Sequence, residues 1–134
     1  MKDTFDQESK KALIDYRIER AYDTLKEAKY NSNGGFYHAA INRMYYACFY
    51  AVIALLLKYD ISAQTHQGAR AMLGLHFVSK GILSKESGKT FNDLFEKRHS
   101  GDYDDFVFCD QEMVDELYPK AVIFIEEVNK LLHS

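Results

Sequence analysis

Ile14, Ile18, Ala21, Leu25 and Ala28 recur at steps of three and four with Lys, Arg, Asp and Glu between them. This is the stripe of an amphipathic helix and predicts one over about residues 6–30. Asn31-Ser32-Asn33-Gly34-Gly35 ends it in a turn so short that the next helix must run back antiparallel. That second helix, residues 36–58, carries Tyr37, Ala40, Ile41, Met44, Tyr45, Cys48, Phe49, Val52, Leu55 and Leu56 around most of its circumference, so it has to be covered on several sides. Tyr59 to Gln64 reads as a connector. Thr65 or His66 opens a third segment containing Met72, Leu73, His76, Phe77 and Val78. Gly74 inside it costs about 1 kcal/mol in helix propensity and predicts a close approach of a neighbouring element, and Gly81 ends the segment. A fourth helix over about residues 84–98 pairs Phe91, Leu94 and Phe95 and breaks at His99-Ser100-Gly101-Asp102. The fifth starts near Asp110, an N-cap followed by acidic residues that suit the helix dipole. Val114, Tyr118, Ala121, Ile125, Val128 and Leu132 form its buried stripe, and Pro119 predicts a kink or a late start.

No stretch alternates in the manner of a strand, so the class is all-α: an up-and-down bundle of four to five helices. A chain of 134 residues with 47% apolar content builds one core, which makes residues 1–134 a single domain. Cys48 and Cys109 sit in unlike contexts with no disulfide or zinc spacing, and the charged N-terminus has no apolar signal segment; both point to a cytoplasmic protein. The longest apolar run, residues 44–57, is 14 residues, against about 20 needed to cross a bilayer, so no membrane association is expected. A net charge of -3 gives no general case for nucleic-acid binding, although it leaves room for a local site. Seven acidic residues and no Lys or Arg fall between Asp102 and Glu116, a stretch any nucleic acid would avoid.

The polar residues that interrupt this pattern are the functional candidates. Asn42 and Arg43 break an apolar helix and need partners, either as structural hydrogen-bonding groups or in a cleft. Arg43, Tyr46 and Tyr50 form a stripe at i, i+3 and i+7, suited to packing in a core or dimer seam, or to stacking a base. Arg98, Asp102 and Tyr103 lie where a helix gives way to a turn; they either close that turn or form a site. His99 beside Arg98 is either a displaced acid/base group or a surface histidine. His66 is expected to cap or hydrogen-bond the third helix, and His76 to be a partly buried core residue. Arg70 and His76 are six residues apart, about 600° on an α-helix, which leaves them some 120° apart rather than on one face. Glu96-Lys97-Arg98-His99 is a single Glu-x-x-His motif, whereas a di-iron bundle needs two such motifs and two further glutamates, so no metal is expected. No phosphate-binding Gly-rich loop or Gly-x-Ser-x-Gly elbow occurs, and no cofactor is expected.

Three blocks together resemble the HEPN domain family of prokaryotic helical proteins: Gly35-Phe36-Tyr37-His38-Ala39-Ala40-Ile41-Asn42-Arg43-Met44-Tyr45-Tyr46-Ala47-Cys48-Phe49-Tyr50-Ala51; Thr65-His66-Gln67-Gly68 with Leu75-His76-Phe77-Val78; and Leu94-Phe95-Glu96-Lys97-Arg98 with Gly101-Asp102-Tyr103. The resemblance implies a dimerising helical module that works with a minimal nucleotidyltransferase in a toxin–antitoxin or stress system and touches a nucleotide or RNA. The residues it implies for that contact are Asn42, Arg43, Tyr46, Arg98, Asp102 and Tyr103. Many relatives are metal-independent endoribonucleases whose arginine is followed, four to six residues on, by a histidine. Here the chain instead resembles the branch reading Arg-x3-Asp-Tyr, with Arg98 and His99 as the catalytic candidates. The alternatives are such a ribonuclease or a non-catalytic dimerisation bundle.

Overall fold

The computed structural model describes the backbone of residues 6–101 and 108–134 and the side chains of residues 6–98 and 108–134. Five α-helices follow in order: α1 (Gln7–Asn33), α2 (Tyr37–Lys58), α3 (His66–Leu73), α4 (Lys85–Gly101) and α5 (Gln111–Leu132). A π-helical turn, Gly74–Val78, prolongs α3. No strand occurs among the described residues.

Each start and stop has a local cause. Asp6 accepts from the Ser9 N–H at 2.7 Å, Thr65 from the Gly68 N–H at 2.8 Å and Asp110 from the Met113 N–H at 2.9 Å, satisfying one orphan donor at each of three helix starts. The α1 helix runs three residues beyond the expected end and stops through a paired bond: the Phe36 N–H reaches the Asn31 carbonyl and the Gly35 N–H the Ser32 carbonyl. That closure needs a left-handed residue, and Gly35 supplies it at φ 81°. Gly81, at φ 74°, ends the π-helical turn in the same way.

Two expected features differ. The α4 helix continues through Gly101, so the break expected at residues 99–102 does not begin at His99. Pro119 lies inside α5, which starts at Gln111 without delay.

At the centre lies α2, in contact with α1, α3, α4 and α5. Ala40, Ala47, Ala51 and Ala54 are fully buried along it, and such small side chains let the surrounding helices approach closely around Met44, Tyr45, Val52 and Leu55. At 22 residues α2 is longer than its apolar run suggested and is the described helix long and apolar enough to cross a membrane, yet 61% of that span is buried within the fold. Its last residue, Lys58, donates to the Leu131 carbonyl at 2.7 Å, a cation set at the C-terminus of α5.

Gly74 does not serve the close packing expected of it. A methyl group added there would meet no atom within 4 Å, and its backbone is ordinary helix (φ -65°, ψ -45°). Gly74→Ala should therefore raise stability by about 0.5–1 kcal/mol in urea unfolding, and a loss would mean that the glycine has a packing role after all.

Candidate functional site: a guanidinium and aromatic cleft

The site begins with consecutive tyrosines on α2. Tyr45 points into the core and is fully buried; its ring lies 5.6 Å from Phe91 and 6.0 Å, edge-on, from Phe95. Burial pushes its hydroxyl above the usual phenol range, against the opposing pull of Arg98, so it stays protonated. That hydroxyl shares a 2.8 Å hydrogen bond with His66 Nδ1 at the start of α3.

His66 is half-buried and stacked flat on Phe49, with ring centres 4.1 Å apart and planes 14° from parallel. Burial lowers its pKa, and the charge of Arg98 lowers it further. The imidazole is thus neutral at pH 7, able to accept a proton.

Tyr46, one residue on, is half-buried at the surface. Arg98 Nη2 donates to its hydroxyl at 2.6 Å. Both Arg98 and Arg43 place their guanidinium carbon near the Tyr46 ring centre, at 5.3 and 5.1 Å, within cation–π range. Asn42 Oδ1 accepts from Arg43 Nη2 at 3.0 Å, and Arg43 also meets Glu27 at 3.4 Å. Tyr50 continues the stripe and meets Arg20 of α1, at 3.4 Å from its hydroxyl.

Arg43 and Arg98 also line a cleft of about 390 Å³, together with Asn42, Lys97, His38 and Cys109. Three cations face this opening and no carboxylate lines it. The cleft can therefore take an anionic group the size of a phosphate ester, with Tyr46 and His66 joined to it through Arg98.

Of the residues singled out in the sequence, the fold brings Asn42, Arg43, Tyr46 and Arg98 together. The side chain of His99 and all of Asp102 and Tyr103 lie outside the described residues. Arg70 and His76 have separate surroundings: Arg70 turns to α4, 3.1 Å from Glu96 and 4.5 Å above the Phe95 ring. Glu96, the acid of the Glu-x-x-His motif, is engaged in that pair. No cluster of three His, Cys, Asp or Glu residues that could hold a metal ion occurs among the described residues.

His66 is the residue that sequence reasoning placed wrongly. The cap of α3 is Thr65, and His66 turns away from the helix end into the aromatic cluster. Its one signal was membership of the Thr65-His66-Gln67-Gly68 block. Nothing local in the sequence shows that it meets Tyr45, 21 residues earlier.

A helical bundle with a cationic, aromatic-walled cleft beside a neutral histidine is built to handle anionic ligands that carry flat rings. The HEPN domain profile matches residues 14–131, nearly the whole chain, and the protein belongs to the HEPN domain family. It is similar to a protein of Thermotoga maritima named "UPF0332 protein", 39% identical over 125 residues that make up 93% of this chain and 95% of that one. It is also similar to a Methanocaldococcus jannaschii protein named "Putative toxin MJ0142", 32% identical over 92% of this chain and 84% of that one. Among solved structures, ST0689, described as an archaeal HEPN homologue, shares the fold with a TM-score of 0.72 at 19% identity, over 89% of this chain and 97% of that one.

Proposed function

We propose that this protein is the HEPN component of a toxin–antitoxin or stress module, binding single-stranded RNA or a nucleotide in the Arg98 cleft. The observation that carries the reading is the double use of Arg98 and Arg43. Each guanidinium lies against the Tyr46 ring and each also faces a cleft with no carboxylate in its lining. A phosphate would meet Arg98, Arg43 and Lys97, and a base would find the Tyr46 side of the cluster. The relative named as a toxin supports the same reading.

The working unit in this proposal is a homodimer acting with a minimal nucleotidyltransferase. Exposed rings at Tyr30, Phe36 and Phe108 support an interface there, since each is within two residues of a cleft-lining residue, Asn31, His38 or Cys109. Calorimetric titration of the purified protein with short oligoribonucleotides, mononucleotides and the nucleotidyltransferase is the test. Heat from none of the three would end the proposal.

A second reading, metal-independent RNA cleavage, is favoured by the placement of His66. In it, His66 replaces His99 as the acid/base partner of Arg98. The neutral imidazole accepts the proton of a ribose 2′-hydroxyl and that oxygen attacks the adjacent phosphorus. The 5′-oxygen leaves with a proton, and Arg98 offsets the charge on the phosphoryl oxygens. The Tyr45 hydroxyl holds the imidazole in place through Nδ1.

This reading predicts cleavage that persists in EDTA and is lost in His66→Gln but retained in His99→Gln. Because His66 acts as a base from its neutral form, the rate should rise with pH through a midpoint below about 6.5, the ordinary histidine value. A limb centred above that value would exclude His66 as the base.

A further inference from the structure

We propose that the groove between α3 with its π-helical turn and α4 is a second binding site, which takes the phosphodiester backbone of an RNA strand running on from the Arg98 cleft. This rests on the reading of that cleft as an RNA site and extends it from one nucleotide to several.

The groove holds about 410 Å³, and Arg70, Lys85, Lys89 and Asn92 line it with no Asp or Glu among the lining residues. Lys85, Lys89 and Asn92 are exposed and stand at i, i+4 and i+7, on one face of α4. The acids of α4 lie elsewhere: Glu86 and Asp93 line a different opening, and Glu96 is paired with Arg70 at 3.1 Å. In a chain of net charge -3, three cations around one opening repel each other until an anion enters.

The groove is also continuous with the Arg98 cluster. Arg70 lies 4.5 Å above Phe95, and the Phe95 ring is 6.0 Å from Tyr45, over which Arg98 sits at 5.7 Å. Both arginines act on the Tyr45 hydroxyl from their separate positions. Along α4 the rise from Lys85 to Arg98 is about 20 Å, a length that spans several nucleotides rather than one.

The groove wall explains Gly74. Nothing in the chain fills the space above it, and a glycine inside a helical segment is unfavourable by about 0.5–1 kcal/mol. Its place in the lining leaves backbone open to an incoming strand.

The test compares the full-length wild type with Lys85→Gln/Lys89→Gln and with a matched pair on α1, Lys11→Gln/Lys26→Gln. Both substituted positions of the control are well exposed, at 79% and 82%. Fluorescence anisotropy is read with a labelled diadenylate and a labelled twelve-nucleotide oligoadenylate over a range of salt. The groove pair should bind the longer probe more weakly, with a salt slope shallower by about 1.4, from about 0.7 per lost phosphate contact on a single strand. Its diadenylate affinity should equal that of the wild type, and the α1 pair should match the wild type for both probes.

An unchanged slope in the groove pair, or equal losses in both pairs, would overturn the groove proposal and leave the Arg98 reading standing. Groove variants that keep RNA affinity but lose an acidic protein partner would overturn it as well. A wild type that binds neither probe would remove the Arg98 reading and the groove with it.

Discussion

Arg98→Ala should weaken binding of a short single-stranded oligoribonucleotide by about 10- to 100-fold, since a hydrogen bond to a charged group contributes about 1.5–3 kcal/mol. The guanidinium occupies a position no other side chain can fill. One nitrogen donates to the Tyr46 hydroxyl at 2.6 Å, its carbon lies within cation–π distance of two tyrosine rings, and it forms part of the cleft lining. Arg98→Lys keeps the charge but not the planar fork, so it should recover only part of the affinity. Tyr46→Phe removes the hydroxyl that fixes the guanidinium while leaving the ring, and should give an intermediate loss. Arg98→Ala should lower stability by about 1 kcal/mol, or a few degrees in Tm, from the bond lost at Tyr46.

A second readout separates a site role from a purely structural one. Because the Arg98 charge helps hold the His66 pKa down, the His66 midpoint measured by NMR should rise in Arg98→Ala towards the ordinary value, though burial keeps it from arriving there. RNA affinity equal to wild type in Arg98→Ala, with the His66 midpoint moved as expected, would leave the cluster intact and end its role as the binding site.

The bundle was legible in the sequence because helices announce themselves locally. The α2 helix carries apolar residues around its circumference, the Asp110 cap is followed by acidic residues, and the Asn31 to Gly35 turn contains the glycine its left-handed stop requires. The errors arise where tertiary contact decides. The continuation of α4 past Arg98 and the uninterrupted passage of α5 through Pro119 override weak local signals. Asn42, Arg43, Tyr46 and Arg98 could be picked out as polar interruptions or motif members, whereas Phe49, Phe95 and His66 look like ordinary core or cap residues. Their role depends on the packing of α3 and α4 against α2, which brings His66 onto Phe49 and Phe95 against Tyr45. The metal-ligand spacing at Glu96 illustrates the converse: a short motif matched on paper, but its acid is taken by Arg70.

The largest loss of stability outside the apolar core should follow Glu127→Ala, at about 2–3 kcal/mol in urea unfolding. This α5 carboxylate holds the start of α4: Oε2 accepts from the Ser84 N–H at 2.8 Å, and Oε1 accepts from the Ser84 and Ser87 hydroxyls at 2.9 and 2.6 Å. A negative charge at a helix N-terminus is favourable, and its removal leaves the Ser84 N–H and the nearly buried Ser87 hydroxyl without this acceptor. Burial by itself would raise the Glu127 pKa, but the bonds from Ser87 and Ser84 outweigh it and the net shift is downward. The unfolded chain therefore binds the proton more readily than the folded one, and the stabilisation is complete above the ordinary glutamate value of about 4.3. It is lost as pH falls through that value and then through the lower folded one. Wild type and Glu127→Ala should accordingly differ most near neutrality and converge towards pH 3. Glu127→Gln, which keeps one acceptor oxygen without the charge, should fall between them and lack the same acid dependence. A gap between wild type and Glu127→Ala that stays constant from pH 7 to pH 3 would show that the carboxylate contributes through packing rather than through its charge.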